Sequence, residues 1–287
     1  VATGPPVEAI VPAYQEAEVL HESVEALLEN EYEPLRITIV LEPNDDPTRR
    51  RAEELADRHE TVEWVLNGTP GSKATAINYA VRQSTAAYFV VFDAYERPSP
   101  QFVPTAMADL LGQTDVFQGR RVPRPTGWVE TLAYADRVVV QMGYHVGELL
   151  GVTHTQSAAT GFTREAFAAV GGYEDVLTED IYFSHQCHRA DLTVTRNSRV
   201  TSLMEAPHTL RDLWGQRKRG RIGHVQVAHR RILETLIGSP SLRDLLTIGR
   251  SVGADLAGAT FLVLTAHILF VSVVDPTWAL LPFLSIF

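Results

Sequence analysis

The chain has 287 residues, 45% of them hydrophobic, and carries 35 acidic against 25 basic side chains for a formal charge of −10. The apolar share is enough for a sizeable core in one large or two small domains, and the acidic excess excludes a general attraction to nucleic acid. Lys73 and Lys218 are the only lysines; the single cysteine, Cys187, excludes an internal disulfide and suits a reducing compartment.

Val1–Pro6 carries no signal-peptide pattern, and the chain is expected to begin inside a longer protein. Its first two-thirds alternates short apolar runs with amphipathic ones, the pattern of βαβ units in a largely parallel sheet. Val7–Val11 predicts a strand ending at Pro12, after which Val19, Leu20, Ser23, Val24, Leu27 and Leu28 recur at helical spacing. Arg36–Leu41 predicts a second strand, followed by a helix from about Pro47, a residue tolerated in the first turn. Val62–Leu66 predicts a third strand, Ala74–Arg82 a helix, and Tyr88–Phe92 a fully apolar strand ending in Asp93. In open α/β sheets ligands bind beyond the carboxyl ends of the strands. The polar residues at those ends are Tyr14 and Glu16, Glu42 and Asn44, and Asp93 and Glu96; they are expected to line one crevice. Taken singly each also fits a turn or a cap, as Asn44-Asp45-Asp46-Pro47 does.

The far end differs in kind. Leu256–Val274 is a run of 19 residues with His267 as its one strongly polar member, close to a bilayer core at 1.5 Å per residue. Asp275-Pro276 breaks the run, and Thr277–Phe287 would span only roughly 16 Å as a helix. Arg217, Lys218, Arg219, Arg221, Arg230, Arg231, Arg243 and Arg250 all precede the run, which is the positive-inside pattern. The expected organisation is a cytosolic domain over 1–229, an interfacial amphipathic segment over 230–253, and transmembrane segments over 254–287, the second incomplete. A buried core helix is the alternative for the apolar run.

Seven short motifs follow one another along this frame: Val11-Pro12-Ala13-Tyr14-Gln15-Glu16; Glu42; Gly71-Ser72-Lys73-Ala74 leading into Ala76-Ile77-Asn78-Tyr79-Ala80; Phe92-Asp93-Ala94-Tyr95-Glu96-Arg97-Pro98; Gly171-Gly172-Tyr173; Thr178-Glu179-Asp180; and Gln216-Arg217-Lys218-Arg219-Gly220. In this order they resemble the family 2 glycosyltransferases, the group of cellulose, chitin and hyaluronan synthases. The resemblance implies a nucleotide-diphosphosugar transferase of GT-A type, a mixed α/β sheet flanked by helices, followed by interfacial and transmembrane helices.

It also implies roles. Pro12, Ala13 and Tyr14 stand where the family cradles the nucleobase, with Glu16 beside them. Glu42 replaces an Asp that binds base or ribose. Lys73, in a Gly-Ser loop at a helix start, suits a phosphate. Asp93 stands in the family's Asp-x-Asp motif and implies Mg²⁺ or Mn²⁺, yet its partner position is Tyr95, a poor ligand for a hard cation; either Asp93 holds the metal with help from Glu96 or the substrate's phosphates, or metal dependence is weakened. Asp180 of Thr178-Glu179-Asp180 is the expected catalytic base, with Glu179 in the substrate site, although Thr and Asp also cap helices. Gln216, Arg217 and Arg219 resemble the Gln-x-x-Arg-Trp motif that grips the diphosphate, with Gly220 in the Trp position. The expected partners are a nucleotide sugar (a UDP-sugar before a GDP-sugar), a glycan or lipid-linked acceptor, and membrane lipid, at the cytosolic face of the cell membrane. Single-sugar transfer to a lipid carrier and a silent nucleotide-sugar-binding relative are the alternatives. His185, Cys187 and His188 do not share one helical face and make no zinc site, and no Gly-x-Ser-x-Gly elbow occurs.

Overall fold

A computed structural model of the chain describes residues 1–149 and 151–237, with isolated positions 242, 245, 246, 248–250, 252, 253, 270, 273 and 274. Its four N-terminal strands, β1 (Ala2–Ala13), β2 (Tyr32–Leu41), β3 (Val62–Leu66) and β4 (Tyr88–Val91), are mutually parallel. Beyond β4 the sheet continues with β5 (Arg97–Pro98), β6 (Val116–Pro123), β7 (Thr160–Thr163) and β8 (Val194–Met204), in the order β3-β2-β1-β4-β7-β6-β8-β5. β7 runs antiparallel to both β4 and β6, and β5 antiparallel to β8, so the sheet is mixed rather than largely parallel.

Both faces are covered, which is why the central strands are apolar throughout instead of alternating with polar residues. Val7, Ala9 and Val11 of β1 face one core, closed by α1 (Leu20–Leu28), α2 (Asp46–Arg58) and α4 (Phe102–Leu110). Ile10, one step out of phase, faces the other, closed by α3 (Lys73–Gln83), α6 (Arg164–Val170) and α7 (Glu179–Arg189). Two longer helices, α5 (Trp128–Leu149) and α8 (Leu210–Ile237), pack beside the carboxyl end of β6 and against α7.

The expected Val7–Val11 strand is the buried centre of a longer one, because Ala2–Pro6 is exposed and pairs only through a register shift. The boundary expected at 229/230 falls inside the continuous helix α8. Among the described residues no helix is long and apolar enough to cross a membrane. The transmembrane segments expected over 254–287 lie outside the described residues, three isolated positions aside.

Candidate active site

A cavity of about 440 Å³ opens at the carboxyl end of β4. Its wall combines Lys73, Asp93, Glu179, Asp180, Gln216, Arg217 and Arg219, which the sequence offered as separate motifs. Lys73 gets there because a capping box, Ser72 against Thr75, starts α3 one residue earlier. Asp93 is the first residue past the apolar β4 core and is 8% exposed.

Asp93 is surrounded by donors. Lys73 Nζ reaches its Oδ1, while Arg121 Nη2 (2.6 Å) and the Tyr95 hydroxyl (3.0 Å) reach its Oδ2. Burial opposes ionisation here, but the charges of Lys73 and Arg121 outweigh it and hold the Asp93 carboxyl below its usual range. The same carboxylate, with burial second, pushes the Tyr95 phenol well above its usual value. Arg121 also donates Nε to Glu96, whose other oxygen accepts from Ser202 Oγ at 3.1 Å.

The opposite wall is the start of α7. Glu179 and Asp180 occupy its first turn, where the helix dipole favours negative charge. Asp180 Oδ1 accepts from the Ile181 amide at 2.9 Å. Thr178 stands at the N-cap position but its side chain makes no capping bond. Burial, then the neighbouring charge of Asp180, raises the Glu179 carboxyl to about 7. Among the described residues neither carboxylate forms an ion pair. α8 approaches this corner through Gly223, where a Cβ would stand 2.3 Å from Thr178 Cγ2. That contact brings Gln216, Arg217 and Arg219 onto the same cavity, with Arg217 bonded to Asp136 of α5. At Gly220 an added Cβ meets open space.

Pro12, Ala13, Tyr14, Glu16 and Glu42 are not on the cavity wall. They form a shelf at the carboxyl ends of β1 and β2. Tyr14 is 54% exposed, and Glu42 accepts from Asn67 Nδ2 at 2.8 Å. Asp45 caps α2 and also takes the amide of Gln15, a residue held at φ 57°. Glu16 links shelf and cavity. Its carboxyl is pushed up to about 7, mostly by burial, with the charge of Asp93 adding to the effect.

The expected divalent-metal site does not fit these side chains. Both oxygens of Asp93 are taken by Lys73, Arg121 and Tyr95. Glu96, the expected second ligand, is fully buried, off the cavity wall, and bonded through both oxygens to Arg121 and Ser202. Among the described residues no group of three or more His, Cys, Asp or Glu side chains converges as a cation site.

Sequence reasoning missed Arg121 and Arg137, both on the cavity wall. Arg121 sits in β6, where a charged residue inside an otherwise packed strand is the only signal. Arg137 of α5 donates to the neutral amide oxygen of Gln156, and its buried Nε has no hydrogen-bond partner. The Gly171-Gly172-Tyr173 motif, by contrast, is architectural. Asn78 accepts from the Tyr173 amide at 2.9 Å and donates to its carbonyl at 2.7 Å. Gly172, at φ +82°, leaves room for that clamp, since a Cβ would lie 2.7 Å from Asn78 Oδ1.

The chain is thus a mixed α/β sheet with flanking helices that gathers carboxylates and cations beyond its strand ends. Residues 5–190 match the profile of glycosyltransferase like family 2. The chain belongs to that family. It is 25% identical over 235 residues to poly-beta-1,6-N-acetyl-D-glucosamine synthase of Staphylococcus epidermidis, covering 79% of this chain and 56% of that protein. The chain thus spans little more than half the length of that curated relative. In fold it is similar to the mannosyltransferase PcManGT from Pyrobaculum calidifontis in complex with GDP-Man and Mn2+. The TM-score is 0.62 at 21% identity, over 96% of this chain and 83% of that one. It is also similar to S. aureus TarS 1-349 in complex with UDP-GlcNAc, with a TM-score of 0.51 at 13% identity, over 70% and 59% of the two chains.

Proposed function

We propose that the chain transfers a hexose, with inversion at the anomeric carbon, from a nucleoside-diphosphate sugar to a growing glycan at the cytosolic face of a membrane. The observation that carries this reading is the meeting of Asp93 and Asp180 on one cavity with Lys73, Gln216, Arg217 and Arg219. In the proposed reaction an acceptor hydroxyl oxygen forms a bond to the anomeric carbon as the bond from that carbon to the diphosphate oxygen breaks. Asp180 receives the hydroxyl proton, and the diphosphate leaves with the electron pair. Lys73, Arg217 and Arg219 face the charge that develops on the leaving group. The shelf of Pro12, Ala13, Tyr14, Glu16 and Glu42 is assigned to base and ribose. A UDP-sugar is the preferred donor, in line with the UDP-GlcNAc bound by S. aureus TarS 1-349.

Two features support a membrane face. Trp128, Leu132, Met142, Val146 and Leu149 are exposed along a single face of α5, and the basic cluster from Arg217 onward lies before the apolar run. Segments 230–253 and 254–287 are assigned to the interface and the bilayer, making the protein integral to the cell membrane. A second reading, single-sugar transfer to a lipid carrier, draws on the open space at Gly220, where processive synthases carry the aromatic platform for the acceptor.

The test incubates the protein with labelled UDP-glucose, UDP-N-acetylglucosamine and GDP-mannose, offering glycan oligomers or lipid phosphate in vesicles as acceptor. Transfer with inverted anomeric configuration, read by NMR, and its loss in Asp180→Asn is the expected result. Equal turnover by the two proteins removes Asp180 from the role of base, and the labelled acceptor decides between glycan and lipid.

A further inference from the structure

Resting on the nucleotide-sugar reading, we propose that Lys73 and Arg137 together take the place of a divalent ion, so that the cavity binds the donor diphosphate without metal.

The first half of the argument is the occupied position. Asp93 is the one carboxylate that the family pattern places at the diphosphate here, and three donors already hold it. A hard dication needs several oxygen ligands. Tyr95 offers instead a phenol whose proton is committed to Asp93 Oδ2 at 3.0 Å. Glu96 is turned inward onto Arg121 and Ser202. To bind a metal through both oxygens, Asp93 would have to give up its buried pair with Arg121, and such a break is costly.

The second half is the replacement charge. A divalent ion brings two positive charges to a diphosphate, and of the cations on the cavity wall, which include Arg217, Arg219 and Arg221, Lys73 and Arg137 can supply the same. Lys73 is a flexible point charge that can turn from Asp93 to a phosphate oxygen, because Arg121 stays behind to balance Asp93. Arg137 is a cation without a carboxylate: among the described residues its partner is the Gln156 amide, and its buried Nε is unpartnered. Burial, helped by the nearby charge of Arg121, lowers its pKa to about 10, so it stays charged at neutral pH. A guanidinium fork with donors to spare, facing a cavity already lined by Asp93 and Lys73, matches two phosphate oxygens in shape and charge. Arg217 does not qualify on the same terms, since Asp136 already balances it.

The test is calorimetry of UDP and GDP with the whole chain, in excess EDTA and in excess MnCl2. The expected result is that the nucleotide that binds does so with affinities equal to within about twofold in the two buffers. Arg137→Ala should weaken binding in EDTA on the order of tenfold, and Arg137→Lys should recover part of the loss, keeping the charge without the fork. A thermal melt of each variant separates lost binding from lost fold. Tyr95→Asp supplies the missing carboxylate and should create Mn²⁺ uptake, seen as a loss of the free-ion EPR signal that wild type leaves intact. Binding by wild type that vanishes in EDTA and returns with MnCl2, or Arg137→Ala that binds undiminished in EDTA, overturns the proposal while leaving the donor reading standing. Failure of both nucleotides to bind in either buffer overturns both.

Discussion

Two acidic corners face each other across a single cavity, and their surroundings differ in kind. Asp93 is held ionised by a lysine, a buried arginine and a phenol, which leaves its charge no freedom to vary. Glu179 and Asp180 sit in the first turn of a helix and, among the described residues, form no ion pair; Glu179 feels Lys73 only at a distance and is poised near neutral pH. The difference divides the labour of a transfer reaction. A group that must take up a proton needs an environment that does not pin it as an anion, whereas a group that arranges cations around a phosphate needs the reverse. Identical chemistry at the carboxyl carbon thus supports opposite tasks, set by what each strand or helix end brings near.

The sharpest way to break this division is to remove the proton acceptor alone. Asp180→Asn should lower turnover by about 10²- to 10⁴-fold, the usual range for a positioned base, while UDP affinity and the melting temperature stay close to wild type. A parallel fall in affinity would mean that Asp180 holds the donor and is no base. Next comes the other corner. Arg121→Met strands Asp93 beside Glu96, which is fully buried, and breaking such a network typically costs about 3–5 kcal/mol. The expected readout is a melting temperature lower by roughly 10 °C, by calorimetry. A variant as stable as wild type would show that the carboxyls simply protonate, and that the charge balance described here is dispensable.

Much of this arrangement was legible in the sequence, and the boundary of legibility has a physical cause. The strands β2 to β4 and the start of α7 are local features, written in apolar runs and first-turn acids. Lys73 and Asp180 could be picked out because a helix start constrains them within a few residues. Arg121 and Arg137 could not. Whether an arginine is solvated or buried depends on which strand lies beside β6, and that neighbour is β7 on one side and β8 on the other, both far along the chain. Glu96 shows the reverse error: proximity to Asp93 in sequence suggested a shared ligand set, but the turn after β4 gives each carboxylate its own nitrogen of Arg121, Nη2 for Asp93 and Nε for Glu96. Gly171-Gly172-Tyr173 was legible as a motif, whereas its function as a clamp on Asn78 required the fold.

A smaller perturbation sharpens the link between α8 and the proton-accepting corner. Gly223→Ala puts a methyl 2.3 Å from Thr178 Cγ2, so either α8 or the Thr178-Glu179-Asp180 segment must move. Overpacking of this kind costs about 1–3 kcal/mol. Because the displaced segment carries Asp180, kcat should fall together with stability, while Gly220→Ala, mid-helix with open space at its Cβ, should raise stability by up to about 1 kcal/mol. Loss of stability without loss of kcat would place the strain in α8 and uncouple it from the site.

The gentlest test uses protons alone. Glu179 releases its proton near its ordinary value of 4.5 in the unfolded chain but only at about 7 in the folded one, chiefly because burial penalises the charge. Between those pH values the folded state holds more protons than the unfolded state, so stability falls as pH rises and levels off above about 7. Glu16, raised to about 7 by burial on the shelf side, adds a slope of the same sign. Asp93, held low by Lys73 and Arg121, contributes oppositely: its stabilisation is present above the ordinary aspartate range and is lost in acid. Melting temperature should therefore pass through a maximum on the acid side of neutrality. Glu179→Gln, which cannot ionise, should be more stable than wild type at pH 8 by about 1–2 kcal/mol and show little difference at pH 5. Equal pH profiles for the two proteins would mean that Glu179 is solvated and unstrained. The contrast between the two acidic corners would then rest on Asp93 alone.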